Sequence, residues 1–264
     1  MAKPKHWTES MFIDHPELFM LYLEERRKTA RKEALALKRI FDSRGVPGRG
    51  RILDSCCGIG RHSIELASLG YEMVGVDLAP AHIERAEQLA RKRGISKRTK
   101  FLVGDMRRIR GVVGKLGEFD AVINMFTSFG YYGEEADLNF FRDLNRLSRK
   151  DAVLALETIN RDWIIKNMEG TGIFALGNVE QHDFRRFNFE NSFMENIWKF
   201  YKIEGEERRH LATFPVVHRI YSAHELIKML KSNGWKDINV YGNLKLAPLD
   251  LRALTNRLVV VASN

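Results

Sequence analysis

Gly58 and Gly60 stand in the run S-C-C-G-I-G-R-H-S, between a short apolar stretch and a helix-forming one. Glycines there let the backbone pass close to a ligand at a helix N-terminus, where unpaired N–H groups gather. Asp77 ends the next apolar stretch, Y-E-M-V-G-V-D, where an acid can take ribose hydroxyls. A dinucleotide site would share these features, but three details oppose it. Position 63 is Ser, so the third glycine of G-x-G-x-x-G is missing. Asp54 is read at the mouth of the glycine loop, where a carboxylate would repel a pyrophosphate. Asp105 adds a third acid at the same edge. A pocket rimmed by three acids suits a cationic ligand without phosphates.

The elements that must position these residues are legible from pattern. Residues 1–48 read as a helical cap, with E-E-R-R-K-T-A-R-K-E-A dense in helix formers. Gly45, Pro47, Gly48 and Gly50 break it. From residue 49 onward, apolar strands alternate with helices: R-I-L-D, Y-E-M-V-G-V-D-L, K-F-L-V-G-D, F-D-A-V-I-N-M and A-V-L-A-L-E-T. That alternation predicts a doubly wound α/β sheet, parallel in the main, with helices on both faces. Residues 171–220 depart from it. Two long β-like runs flank a turn at Glu190–Ser192, and a second turn falls at Glu204–Glu206, so an antiparallel β insert is expected. Ser222 and Glu225 make a capping box for a last helix, and two strands close the chain.

These motifs, in this order and spacing, resemble the class I S-adenosylmethionine-dependent methyltransferases, whose fold is a seven-stranded Rossmann-like sheet. The carriers are I-L-D-S-C-C-G-I-G-R-H-S, G-Y-E-M-V-G-V-D-L, V-G-D-M and F-D-A-V-I-N-M-F-T-S-F-G-Y-Y, over about residues 51–160. S-adenosylmethionine, with a sulfonium, an ammonium, a ribose diol and an adenine amine, suits a three-acid rim. The resemblance implies that Gly58 and Gly60, with Asp54, Cys56 and His62 around them, line the methionine part of the cofactor. Asp77 would hold the ribose hydroxyls and Leu78 would pack on adenine. Asp105 would accept from the adenine amine, beside Met106. Cys56 departs from the family, which often has its first glycine there. Amino-methylating enzymes that act on bases carry an acid or amide, two prolines and an aromatic after the fourth strand; here Met125 and Phe126 replace the prolines and Thr127 the aromatic. Asn124 matches the first position and touches the cofactor side as well. Phe126 and Tyr131 are the other catalytic candidates, and Phe129 and Tyr132 the aromatics for a substrate.

The chain has 264 residues, 43 of them basic against 34 acidic, and 44% hydrophobic, enough for a full core. The excess of nine positive charges invites a polyanion such as RNA. Arg107, Arg108, Arg110, Arg185, Arg186, Arg208 and Arg209 are its candidate phosphate contacts. The leading expectation is methylation of an exocyclic base amine in RNA. A small-molecule amine or sugar acceptor is the alternative, and cofactor binding without catalysis a third reading. Cys56 and Cys57 are neighbours, a poor basis for a disulfide, and no His/Cys spacing suggests a metal. With no secretory signal and no long apolar run, a cytoplasmic setting is expected.

Overall fold

A computed structural model describes residues 5–250 and 252–264. The first four residues of the expected cap lie outside it. Eleven strands fall into two sheets. The larger contains β1 (Arg51–Ser55), β2 (Glu72–Asp77), β3 (Thr99–Val103), β4 (Phe119–Asn124), β5 (Ser148–Ile159), β10 (Lys236–Tyr241) and β11 (Arg257–Ser263). Its spatial order is β10-β11-β5-β4-β1-β2-β3. All neighbours pair in parallel except β11, which runs antiparallel to both β5 and β10. The order reverses at β1, so the cleft beyond the carboxyl ends of β1, β2 and β4 is the topological switch point where such sheets bind ligands.

Period-two alternation sorts each strand between two cores. Leu53, Val122, Leu258 and Val260 face one side. There they meet Phe140, Phe141 and Leu144 of α6 (Glu134–Leu147) and Leu226 and Leu230 of α8 (Ala223–Ser232). Ile52, Ala121, Ile123, Val259 and Val261 face the other side. There they meet Leu37, Ile40 and Phe41 of α2 (Pro16–Ser43) and Leu66 of α3 (Arg61–Ser68). α4 (Pro80–Arg93) packs beside α3, with Ile83, Ala86 and Leu89 against Phe101. The second half of α2 is thus a layer of the main core, and only its first half reaches over the cleft.

The smaller sheet holds β6 (Thr171–Leu176), β7 (Val179–Asn188), β8 (Phe193–Glu204) and β9 (Glu207–Arg219), antiparallel in chain order. It occupies the expected insert, with turns at the two expected places. α7 (Arg161–Asn167) leads into it, its N-terminus capped by the Asn160 side chain. A short α1 (Trp7–Glu9), continued by a wider π-type turn over Ser10–Asp14, joins the insert to the cleft. Trp7 donates its indole N–H to the Val217 carbonyl of β9 at 3.0 Å and packs edge-on against Tyr131.

Candidate functional site

The loop after β1 is built to be close-fitting. Cys56, Gly58 and Gly60 all have positive φ, at 81°, 55° and 71°. The Cys56 and Cys57 N–H groups both donate to the Val76 carbonyl at 2.8 Å, which pins the loop to β2. At Gly60 a Cβ would lie 2.8 Å from the Phe101 ring, so only glycine fits. Cys56, by contrast, carries a side chain in a left-handed conformation that costs on the order of 1 kcal/mol. Both cysteines are free thiols, and burial pushes both pKa values up, so neither is a nucleophile at neutral pH.

The Asp77 carboxylate, at the end of β2, is held on this loop. It accepts the Gly58 N–H at 2.8 Å and the Ala79 N–H at 3.0 Å, with His82 Nδ1 at 3.3 Å. It lines a cleft with Cys56, Gly58, His62, Leu78, Asp105, Met106 and Tyr132, so most of the expected cofactor residues come together. Asp105 is gripped by Arg107, whose guanidinium donates to both carboxylate oxygens and lies 4.1 Å over the Tyr132 ring. Burial would raise the Asp105 pKa, but the bonds and charge of Arg107 outweigh it and hold the group ionised. Arg107 is therefore committed to Asp105 and Tyr132.

Several expected positions need correction. Asp54 is not at the mouth of the loop. It is wholly buried behind it, where it accepts the Ser63 hydroxyl at 2.7 Å, and burial raises its pKa to about 6. Gly60 turns the loop without lining the cleft. Asn124 is also fully buried. Its amide donates to the Ser55 carbonyl at 2.7 Å and the Ser128 carbonyl at 3.3 Å, which ties the ends of β1 and β4 to the next loop. It does not line the cleft, and its Oδ1 is buried without a hydrogen-bond partner among the described residues. Phe129 is core, stacked between Phe141 and Tyr221. Arg185 and Arg186 cannot act as a pair, because adjacent strand residues point to opposite faces. Arg185 turns inward onto Asp183 at 3.0 Å, and Arg186 is exposed on the outer face. Arg208 and Arg209 pair with Glu180 and Glu204, and Arg108 is exposed.

Phe126 and Tyr131 do reach the site, and they do more than line the cleft. With Phe12 and Phe19 they also border a second cavity of about 300 Å³ under the insert. Cross-strand register assembles its far wall: Arg185–Asn196–Val216, Asp183–Trp198–Phe214 and Phe187–Met194–His218 are rows on one face. Gln181 and Asp183 share that face, and Arg257 enters from the start of β11. Gln181 Oε1, Asn196 Oδ1, Trp198 Nε1, His218 Nδ1 and Arg257 Nη1 are all buried without a hydrogen-bond partner among the described residues. Buried polar atoms are normally paired, so five orphans around one cavity make it a candidate site for a polar ligand. His218 is neutral, its pKa lowered to about 4 by burial.

Sequence reasoning missed this wall, the Phe12–Phe19 roof and Arg61. Arg61 follows Gly60, lines the cleft, pairs with Glu33 and lies 5.4 Å from the Phe126 ring. His62 donates to the same Glu33 at 2.7 Å; burial and Arg61 lower its pKa to about 4. A usable signal existed for the wall: Q-x-D-x-R at Gln181, Asp183 and Arg185 puts three polar residues on one face of a strand whose neighbours on that face are apolar. Among the described residues, no group of His, Cys, Asp and Glu is placed to hold a metal ion, and no helix is long and apolar enough to cross a membrane.

A family model described as a methyltransferase domain matches residues 52–151. The chain is 35% identical over 113 residues to the putative methyltransferase YqeM of Bacillus subtilis, which covers 42% of this chain and 43% of that protein. It is 34% identical over 83 residues to the 23S rRNA (uracil(1939)-C(5))-methyltransferase RlmD of Bordetella pertussis, 30% of this chain and 17% of the relative. The chain thus spans less than half the length of these two relatives. The sugar N-methyltransferase KedS8 from Streptoalloteichus superposes with a TM-score of 0.72 at 18% identity, over 93% of this chain and 92% of that structure. Residues 52–151 therefore match a methyltransferase domain, in a chain that has the fold of the class I S-adenosylmethionine-dependent methyltransferases.

Proposed function

We propose that the protein is an S-adenosylmethionine-dependent methyltransferase that acts on a small molecule seated in the cavity under the insert. The observation that carries this reading is the join between the two spaces. The cofactor cleft and the second cavity share Phe12, Phe19, Phe126 and Tyr131, and the second cavity is ringed by orphaned polar atoms. Asp77 would hold the ribose hydroxyls, Leu78, Asp105 and Met106 would face the adenine, and Gly58 and Arg61 would border the methionine part. The cofactor, when bound, supplies an electrophilic methyl group.

The chain's own work is then orientation and exclusion of water. Phe126 and Tyr131 form the shared wall and fix the direction of approach. Phe12 and Phe19 roof the cleft. His218 stays neutral and offers one ring nitrogen without adding charge. Nitrogen is the acceptor we favour, because it is nucleophilic as a free amine and needs no strong base. RNA as a substrate draws support from the net charge of +9 and from the partial match to an rRNA methyltransferase. The join of the second cavity to the cofactor cleft and its ring of orphaned polar atoms favour the small molecule.

Radiolabelled methyl transfer into a fractionated small-molecule extract, purified RNA and intact ribosomes tests the choice. Label in the small-molecule fraction supports the proposal. Label confined to RNA or ribosomes overturns it.

A further inference from the structure

The cavity under the insert holds a guanidinium without an ion-pair partner among the described residues. Arg257 opens β11 beside Ile159 of β5, and its guanidinium lies 5.0 Å from the Phe126 ring centroid. Its Nη1 is buried and makes no hydrogen bond within the described residues. Burial lowers its pKa, which the charge of Glu157 offsets only in part. Glu157 instead takes the Phe126 N–H at 3.2 Å. The cavity's own carboxylate, Asp183, is already neutralised by Arg185 at 3.0 Å. Arg26 adds a second guanidinium 4.9 Å from Phe126. A buried cation without a partner is costly, and an arriving anion removes that cost.

The other orphans define the remaining chemistry. The Gln181 amide nitrogen donates to Asp183, which fixes the flip and leaves Oε1 free as an acceptor. Asn196 Oδ1 is a second free acceptor on the same wall. These carbonyl oxygens take N–H or O–H donors, not anions. Trp198 Nε1 is a free neutral donor on the same wall, and the one guanidinium fork matches a planar carboxylate.

We infer that the acceptor is an amino-carboxylic acid, its carboxylate anchored on Arg257 and its amine presented beside Phe126 toward the cofactor cleft. This rests on the small-molecule reading above.

Calorimetry on protein saturated with S-adenosylhomocysteine tests the inference, with 4-aminobutyrate, 6-aminohexanoate, phenylalanine and 4-aminobenzoate as probes, each beside its methyl ester. At least one acid should bind about tenfold or more tightly than its ester. Arg257→Gln should erase that difference and Arg257→Lys should restore part of it, while affinity for S-adenosylhomocysteine stays unchanged in both variants and so certifies the fold. Equal binding of acids and esters, an undiminished preference in Arg257→Gln, or no binding of any acid at millimolar concentration would overturn the inference and leave the small-molecule reading standing. Label confined to RNA in the transfer experiment would overturn both.

Discussion

The Asp77 carboxylate is held by two backbone N–H groups before any ligand arrives, so its remaining lone pairs point into the cleft without an entropic cost at binding. Asp77→Ala removes an acceptor for the ribose and loosens the glycine loop as well. S-adenosylmethionine affinity should fall about tenfold or more, at roughly 1.5–3 kcal/mol for hydrogen bonds to a charged group. Calorimetry beside far-UV circular dichroism checks this, and unchanged affinity would remove Asp77 from the site. Cys56 invites the opposite kind of change. Its φ of 81° is unfavourable for any residue with a Cβ. Cys56→Gly should be neutral or stabilising by up to about 1 kcal/mol, since relief of strain competes with the extra chain entropy of glycine. A clear drop in melting temperature would show that the thiol's packing outweighs the strain. At this scale the expected placement of Gly58 and Asp77 on the cleft agrees with the structure, whereas Asp54 and Asn124 do not line it. Both of the latter lie in strands, where which way a side chain points is decided by the pleat and by partners in other elements: Ser55 and Ser128 for one, Ser63 for the other.

Among the elements, the strands of the main sheet and the helices between them were legible because alternation, capping and turn glycines all agree. The insert was legible as hairpins but not as a wall, because register decides which residues share a face and register is set only when the strands pair. α6 shows how an element tunes the site from behind. Asp137 in its first turn accepts the Tyr221 hydroxyl at 2.7 Å and the Gly130 N–H at 3.3 Å, and so anchors the loop that carries Phe129 and Tyr131. Burial raises its pKa to about 6, above the ordinary value of 3.8, despite both bonds. The native state thus holds this proton more tightly than the unfolded chain. Its stabilising effect is complete below about pH 4 and is lost as pH rises through about 6. Buried Asp54 acts in the same sense, and His62 and His218, lowered to about 4, act in the opposite one. Asp137→Asn removes one descending contribution. Its stability should therefore rise more steeply with pH than that of the parent between about pH 4 and 6, by on the order of 2–3 kcal/mol across the window. Urea melts of both proteins at several pH values check the slope. Parallel curves would mean that the carboxyl titrates as in the unfolded chain.

For the molecule as a whole, the basic excess is the feature most easily misread. A net charge of +9 produces a long-range field whatever the substrate is, but steering is not recognition. Most arginines expected to meet phosphates are committed elsewhere: Arg107 to Asp105, Arg185 to Asp183, Arg208 to Glu180 and Arg209 to Glu204. Arg186 points away from the cavity side of its sheet, and the insert with the α1 segment covers the acceptor space. A polyanion that contacted several phosphates would release counterions, and the log–log slope of affinity against salt would steepen by about 0.7–0.9 per contact. A small acceptor with one carboxylate should show a slope well below one. Turnover at saturating cofactor, followed from low to moderate salt, should therefore change the Michaelis constant by no more than a few-fold across the range. Arg108→Ala with Arg186→Ala should leave that constant unchanged, because neither side chain borders the cavity. A slope of several units, flattened by the same double variant, would mean that the field leads to a nucleic-acid surface and that the cavity is a pocket for a single everted base.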